Sequence, residues 1–154
     1  MSETGKSGGG VPGADHGESY RVEVQVGHVL RRAHQRASAL FQAHIGDDNI
    51  TPTQFAALVK LRDQPGVSQN LLGRLTAMDP ATTQGVIRRL KARGLVEATS
   101  DPSDARRTLL RLSGDGEALV ARLVPNGFNV SQAILEPLSE DERRQLRALL
   151  DRIS

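Results

Sequence analysis

The segment DPATTQGVIRRLKARGLVEATSDPSDARRTLLRL, from Asp79 to Leu112, constrains the fold more than any other part of the chain. Asp79 followed by Pro80 is a favoured pair for the N-cap and first position of a helix, and Gly94 suits the left-handed residue that ends one. The sequence therefore predicts a short capped helix. Its buried stripe consists of Val86, Ile87 and Leu90.

Two short β-prone runs follow this helix, Leu95–Thr99 and Thr108–Leu112. The intervening SDPSDARR is rich in turn formers and charged residues. This pattern predicts a β-hairpin with a mobile tip.

A second short helix precedes the first one. Ser68 can cap the segment SQNLLGRLTAM, which carries Leu71, Leu72 and Leu75 on one side. Two short helices separated by about three residues are typical of a helix-turn-helix.

Longer amphipathic segments flank this region. Apolar residues recur at three- and four-residue steps from Ser19 to Ile45, which predicts a long helix. Thr51, Pro52 and Gln54 match an N-cap, a first-position proline and a capping-box glutamine. A helix should therefore start at Pro52 and end at the Gln64-Pro65-Gly66 sequence.

Two helices are predicted after the hairpin. Ser113 can cap a helix from Gly116 to about Ile134, and Pro125 is expected to kink or break it. A last capping box, Ser139 with Glu142, opens a helix that carries Leu146, Leu149, Leu150 and Ile153.

The resulting fold class is mainly α with a small β-hairpin wing. A winged helix-turn-helix lobe for DNA binding spans residues 47–113, and dimerisation helices span residues 18–46 and 114–154. The glycine-rich residues 1–17 are expected to be a disordered tail, because ordering them would cost more entropy than burial returns. The apolar stripes of the flanking helices lack partners within the chain, which indicates a homodimer.

Composition excludes several classes of function. The absence of cysteine removes disulfides, thiol redox sensing and cysteine-ligated zinc. No apolar run approaches the roughly 20 residues of a membrane span, and no signal pattern opens the chain, so a cytoplasmic protein without a membrane partner is expected. His28, His34 and His44 are not spaced as metal ligands.

The motifs of catalysis are also missing. The sequence has no Gly-rich phosphate loop, no nucleophile elbow and no cluster of histidines and carboxylates. We therefore expect neither an enzyme nor a bound cofactor. The net charge is only +2, but eight basic and four acidic residues lie between Pro65 and Leu112, so positive charge is concentrated there.

The helix ending RLKARGLV and the wing DPSDARRTLLRLSGDG resemble the MarR family of bacterial winged-helix transcriptional regulators. The resemblance implies a dimer whose Asp79–Gly94 helices enter successive major grooves of a pseudo-palindromic operator in double-stranded DNA, with wing tips in the flanking minor grooves. The family's wing motif falls on Asp104, Ala105 and Arg106, which makes Arg106 the minor-groove residue and Asp104 the charge that holds the wing.

Sequence preference is expected to come from Thr82, Gln84 and Arg88, which can contact base edges, because Gly85 stands where many members have a long side chain. Taken alone, the basic helix residues fit a solvated face better than a DNA contact; the order of helix, turn, helix and basic wing favours DNA. The complete set of expected DNA contacts is Ser68, Gln69, Pro80, Ala81, Thr82, Thr83, Gln84, Arg88, Arg89, Asp104, Arg106 and Arg107.

Members of the family commonly repress genes until a small, often aromatic acid binds between the dimer helices and the DNA-binding lobe. LRDQPGVSQ and ATTQGVIRRLKARG also resemble members that control the breakdown of aromatic or N-heteroaromatic acids. The corresponding crevice would be lined from Ser19–Ile45, the Phe55 helix and the Gly116 helix. Its candidate polar groups are Arg31, His34, His44 and Gln54.

The expected function is a dimeric DNA-binding regulator, a repressor released by a small organic acid. The alternative is an architectural or interaction module that binds DNA without an effector.

Overall fold

The computed structural model describes residues 20–154, so the predicted disordered tail lies outside the described residues. Two units are distinguished, one ending at Ala33 and the other comprising His34–Ser154. The regular elements are α1 (Val26–His44), α2 (Pro52–Asp63), β1 (Val67–Ser68), α3 (Gln69–Leu75), α4 (Pro80–Ala92), β2 (Val96–Asp101), β3 (Asp104–Leu112), α5 (Gly114–Leu135) and α6 (Glu140–Asp151). Within this part of the chain, no helix has the length and apolarity needed to cross a bilayer.

The first helix begins later than the periodicity predicted. Tyr20 and Arg21 are not helical, and Val22–Val24 form a single 3₁₀ turn that ends in an extended Gln25. The extended backbone of Gln25, with a ψ of 133°, separates this turn from the α-helix. The α-helix therefore starts only at Val26.

The predicted caps are confirmed. Thr51 and Gln54 form both halves of a capping box at α2, and Ser139 and Glu142 do the same at α6. The side chains of Ser68, Asp79 and Ser113 accept hydrogen bonds from the first turns of α3, α4 and α5.

The strands form a three-stranded antiparallel sheet in the order β1-β3-β2. β2 and β3 reach beyond the predicted runs, and only Pro102 and Ser103 remain between them, so the connection is much shorter than the predicted SDPSDARR segment. Ser100 pairs with Thr108 across the hairpin, and both of these side chains are exposed. β1 was not predicted, since two residues are too short to show a period; Val67 pairs with Leu110.

Of the kink or break predicted at Pro125, the break does not occur, because α5 continues through this residue. Proline removes the hydrogen bond that an amide would donate to the carbonyl of Ala121, and both residues are exposed, so water can hydrate that carbonyl. Val120, Leu123 and Val130 are buried on the opposite side and hold the helix against the rest of the unit.

The core of the 34–154 unit joins the helix-turn-helix to the sheet and to α5. Val86, Ile87 and Leu90 form the buried stripe of α4, as predicted. The most deeply buried large side chains are Ile45, Ile50, Leu58, Leu61, Leu72, Leu90 and Leu123.

The loop between α1 and α2 is tied to two helices. Asp47, whose side chain is only 13% exposed, forms ion pairs with Arg93 at 3.7 Å and Arg122 at 3.4 Å. The guanidinium of Arg93 also donates to the carbonyl of Asn49 at 2.8 Å, and that of Arg122 to the carbonyl of Gly46 at 3.1 Å. This loop therefore connects the end of α4 to α5.

Candidate functional site

The start of α4 is fixed by its N-cap residue. The carboxylate of Asp79 accepts a hydrogen bond from the backbone N–H of Thr82 at 2.8 Å and from the Thr82 hydroxyl at 2.6 Å. These bonds from Thr82 lower the pKa of Asp79. The Thr82 hydroxyl keeps its lone pairs, so in this arrangement it can accept, but not donate, a hydrogen bond at a base edge.

The outward face of α4 carries the side chains expected to face DNA. Ala81, Gln84 and Arg88 are exposed and follow one another at steps of three and four residues, so they form one row along the helix. Arg89 is exposed beside this row. Pro80 and Thr82 are exposed at its N-terminal end.

Thr83, which was also predicted to contact DNA, does not belong to this exposed face. It is 1% exposed, and its hydroxyl donates to the carbonyl of Asp79 at 2.8 Å. A Cβ atom at Gly73 would lie 2.8 Å from the same hydroxyl. Thr83 therefore sets the close approach of α3 to α4, and burial keeps it from a base.

Ser68 and Gln69 lie at the start of α3. The Ser68 hydroxyl accepts a hydrogen bond from the backbone N–H of Leu71 at 3.3 Å, so this hydroxyl caps α3. Both side chains are partly exposed and line a groove that faces the wing.

The wing positions its arginines through two aspartates. Asp104 accepts from the backbone N–H of Arg106 at 3.0 Å and lies 3.4 Å from its Nε, while the Arg106 side chain remains 93% exposed. Asp101 closes the turn by accepting from the N–H and hydroxyl of Ser103, and it lies 3.6 Å from Arg107. The Ser103 bonds, with a smaller contribution from Arg107, lower the pKa of Asp101.

Sequence reasoning missed some of these groups. Asp101 orders the turn between the strands, and the DPS sequence, a typical Asx turn, could have indicated it. It also missed Asn70, Arg74 and Thr108, which line the groove between α3 and the wing. Arg74 could have been noticed, because it is the only basic residue within α3.

The predicted ligand residues are not brought together. Gln54 is 4% exposed, and its side-chain carbonyl accepts from the Thr51 N–H at 3.0 Å. Its side-chain oxygen therefore serves the capping box, and Gln54 lines neither of the cavities described below. Arg31 and His34 are exposed on α1, and of the four candidates only His44 lines a described cavity.

Two cavities lie in the region where a ligand was expected. The α2–α5 cavity, of about 220 Å³, is lined by Phe55, Val59, Arg62, Val124, Gly127, Phe128 and Ser131. The α1–α6 cavity, of about 440 Å³, is lined by Arg36, Leu40, His44, Gln132, Ala133, Glu136 and Arg143.

The first of these cavities depends on a glycine. A Cβ atom at Gly127 would lie 2.8 Å from the ring of Phe55, so only glycine leaves that ring its position. The Phe55 ring also lies near Phe41, with ring centroids 5.9 Å apart and the ring planes tilted by 58°. No group of three or more potential metal ligands occurs among residues 20–154.

Comparison with known proteins agrees with this arrangement. The MarR family profile matches residues 48–107. The transcriptional repressor NicR of Pseudomonas putida is 40% identical over 85% of this chain and 83% of its own length. A probable transcriptional regulator of Pseudomonas aeruginosa is 46% identical, with a TM-score of 0.83 over 87% of this chain and 100% of that one.

Another solved structure adds a ligand. Bordetella bronchiseptica BpsR, whose DNA binding is regulated by 6-hydroxynicotinic acid, is 43% identical, with a TM-score of 0.83 over 88% of this chain and 97% of that one. Winged helix, capped α4 and charged wing thus occur together in a chain similar to transcriptional regulators over most of its length. The chain belongs to the MarR family of transcriptional regulators.

Proposed function

We propose that this protein is a homodimeric repressor that binds a pseudo-palindromic operator and is released from it by a small aromatic acid. The observation that carries the proposal is the combination of the exposed Gln84 and Arg88 row on α4 with the 93% exposed Arg106 held by Asp104 in the wing. The first can read base edges in a major groove, and the second suits the negative potential of a narrow minor groove.

The dimer is supported by an unpartnered apolar face. Leu146, Leu149, Leu150 and Ile153 of the α6 region are all exposed in the single chain. A second copy of the chain would remove this surface from water, and two-fold symmetry would place two α4 helices about 34 Å apart on one face of the DNA.

For the effector we propose the α2–α5 cavity. Phe55 and Phe128 offer aromatic faces, and the guanidinium of Arg62 can bind a carboxylate. Arg62 now bonds to Asp63 at 2.8 Å, but such an exposed neighbouring pair contributes little and a ligand carboxylate can compete for it.

The α1–α6 cavity is less suited to this role. Its two arginines already donate to backbone carbonyls, Arg36 to Ile134 at 3.2 Å and Arg143 to Leu138 at 2.9 Å. BpsR, whose DNA binding responds to 6-hydroxynicotinic acid, supports an aromatic carboxylic acid as the ligand class.

Footprinting on the DNA beside the protein's own gene tests the proposal, repeated with 6-hydroxynicotinic acid and other aromatic acids. We expect a protected region with two-fold symmetry that disappears at saturating acid. No protection would contradict operator binding, and protection that no acid changes would favour the effector-free module. Sedimentation equilibrium should give a dimer; a monomer at micromolar concentration would contradict the symmetry.

A further inference from the structure

A polar groove separates α3 from the wing. We call it the α3–wing groove; its volume is about 440 Å³, and it is lined by Ser68, Gln69, Asn70, Arg74, Arg107 and Thr108. Each of these side chains carries a hydrogen-bond donor, and none is acidic. The groove is therefore suited to an anion with several acceptor oxygens.

Its position relative to α4 is defined by shared residues. Gln69, Asn70 and Arg74 also line a neighbouring hollow of about 310 Å³ that extends to Pro80 at the start of α4. These three residues therefore lie between α4 and the wing. In the proposed complex, α4 occupies a major groove and the wing a minor groove, and one DNA backbone always runs between two adjacent grooves.

The charges of the groove are available to that backbone. Arg74 is exposed and forms no salt bridge with any residue in the range 20–154. Arg107 is 59% exposed and lies 3.6 Å from Asp101, which orients it without covering it. Asp101 also accepts two hydrogen bonds from Ser103, both at Oδ1, whereas Arg107 faces the other oxygen, Oδ2.

We propose that the α3–wing groove binds one phosphodiester of the strand that passes between α4 and the wing, with Arg74 and Arg107 as its two cations and the amide of Asn70 as a donor. The proposal rests on the proposed function and adds to it a contact that fixes the register of α4. Phosphate contacts position a protein on DNA without reading sequence. Its loss should therefore weaken binding to every DNA alike.

The first test compares Arg74→Ala, Arg107→Ala and the double variant with Arg111→Ala. Arg111 is the matched control, since it is in the same strand as Arg107, is 57% exposed and also pairs with a carboxylate, Glu97, but does not line the groove. Affinity is measured by fluorescence anisotropy on operator and random duplexes over a range of salt, with thermal melting to verify folding.

We expect each groove variant to lose roughly tenfold in affinity on both duplexes, the scale of a charge-assisted hydrogen bond. The double variant should lower the slope of log K against log salt by about 0.9, the value for one phosphate. A fall near two would mean two separate phosphates, and an unchanged slope would exclude the contact; either result overturns the proposal. Arg111→Ala should behave as the wild type.

The second test locates the phosphate. Single phosphates of the operator are replaced by neutral methylphosphonates, and one position in each half-site should weaken the wild type but not the double variant. If every position that weakens the wild type also weakens the double variant, the groove does not bind the backbone. Binding of millimolar inorganic phosphate to the wild type but not to the double variant, together with equal DNA affinities of the two proteins, would assign the groove to free phosphate instead.

The proposed operator recognition and the proposed phosphate contact can be contradicted separately. If the wild type binds operator and random DNA equally, the proposed operator recognition fails, while the salt slope on random DNA still tests the groove. If operator binding is specific but Arg74 and Arg107 do not affect it, only the groove assignment fails.

Discussion

At the scale of single residues, the junction of α3 and α4 depends on two unusual positions. Gly73 allows α3 to approach Thr83, because a Cβ atom at this position would lie 2.8 Å from the Thr83 hydroxyl. Ala77 has a φ of +52°, in the left-handed region that side chains other than glycine rarely adopt. The turn therefore carries strain at a residue that sequence patterns show only as an ordinary alanine.

Replacing Ala77 should relieve that strain. Ala77→Gly should raise the free energy of unfolding by up to about 1 kcal/mol, because the left-handed cost for alanine is about 1–2 kcal/mol and the entropy lost by glycine offsets part of the gain. Ala118→Gly, an exposed position within α5, is the control and should lower it by about 1 kcal/mol. Urea denaturation measures both, and a loss of stability in Ala77→Gly would contradict the strain.

Asp79 should make the stability of the lobe sensitive to acid. Its folded-state pKa lies below the ordinary value of 3.8, so the stability that the carboxylate contributes is present above 3.8 and is lost as the pH falls through the folded-state pKa. Asp79→Asn keeps an acceptor for Thr82 but removes the charge. The stability difference between wild type and variant should therefore be constant near neutral pH and shrink in acid; a pH-independent difference in urea midpoints would contradict the assignment.

At the scale of elements, the sequence predicts the ends of helices better than the ends of strands. Side chains such as Ser68 and Asp79 carry the cap in their own chemistry, so they were predictable before any tertiary contact was known. The extent of β2 and β3 depends on pairing across the hairpin, and the burial of Thr83 depends on α3. Neither can be read from a local pattern, and the same holds for cavities made by distant segments.

The outward row of α4 should determine sequence preference. Gln84→Ala should reduce the discrimination between operator and random DNA by roughly 1–3 kcal/mol, because one side chain that pairs with a base edge is lost. Lys91→Ala, at another exposed position of the same helix, is the control and should leave discrimination unchanged. Binding titrations on both duplexes measure the difference, and an equal loss on both from Gln84→Ala would show that it only positions the helix.

The wing should contribute to DNA affinity through its charge more than to sequence preference. Arg106→Ala should weaken operator binding and lower the salt slope by about 0.9, whereas Arg106→Lys, which keeps the charge, should retain the slope. Affinities measured across salt concentrations separate these cases. A slope that Arg106→Ala leaves unchanged would remove Arg106 from the interface.

At the scale of the whole 34–154 unit, stability depends on contacts between segments that are far apart in sequence. Asp47 joins Arg93 at the end of α4 to Arg122 in α5. The sequence showed an amphipathic α5 and a turn before α2, but the geometry of this three-residue contact arises only in the folded unit. Long-range ion pairs of this kind have no local signal.

Removing Asp47 should therefore destabilise the unit. Asp47→Ala should lower the free energy of unfolding by about 1–2 kcal/mol, less than for a fully buried pair because both arginines remain partly exposed. Asp63→Ala is the control, because its pair with Arg62 is 43% exposed on both sides and its loss should cost no more than about 0.5 kcal/mol. Equal urea midpoints for the two variants would contradict the role of Asp47.

The junction at Ser113 determines how α5 can move. The Ser113 hydroxyl donates to the carbonyl of Gly94 at 2.6 Å and accepts from the N–H of Gly116, and a Cβ atom at Gly116 would lie 2.1 Å from the carbonyl of Leu95. The end of α4, the start of the wing and the start of α5 are thus joined without room for a hinge. In the proposed dimer, a tilt of α5 would therefore turn α4 and the wing with it, and the proposed effector would act by changing the spacing of the two α4 helices rather than the shape of either.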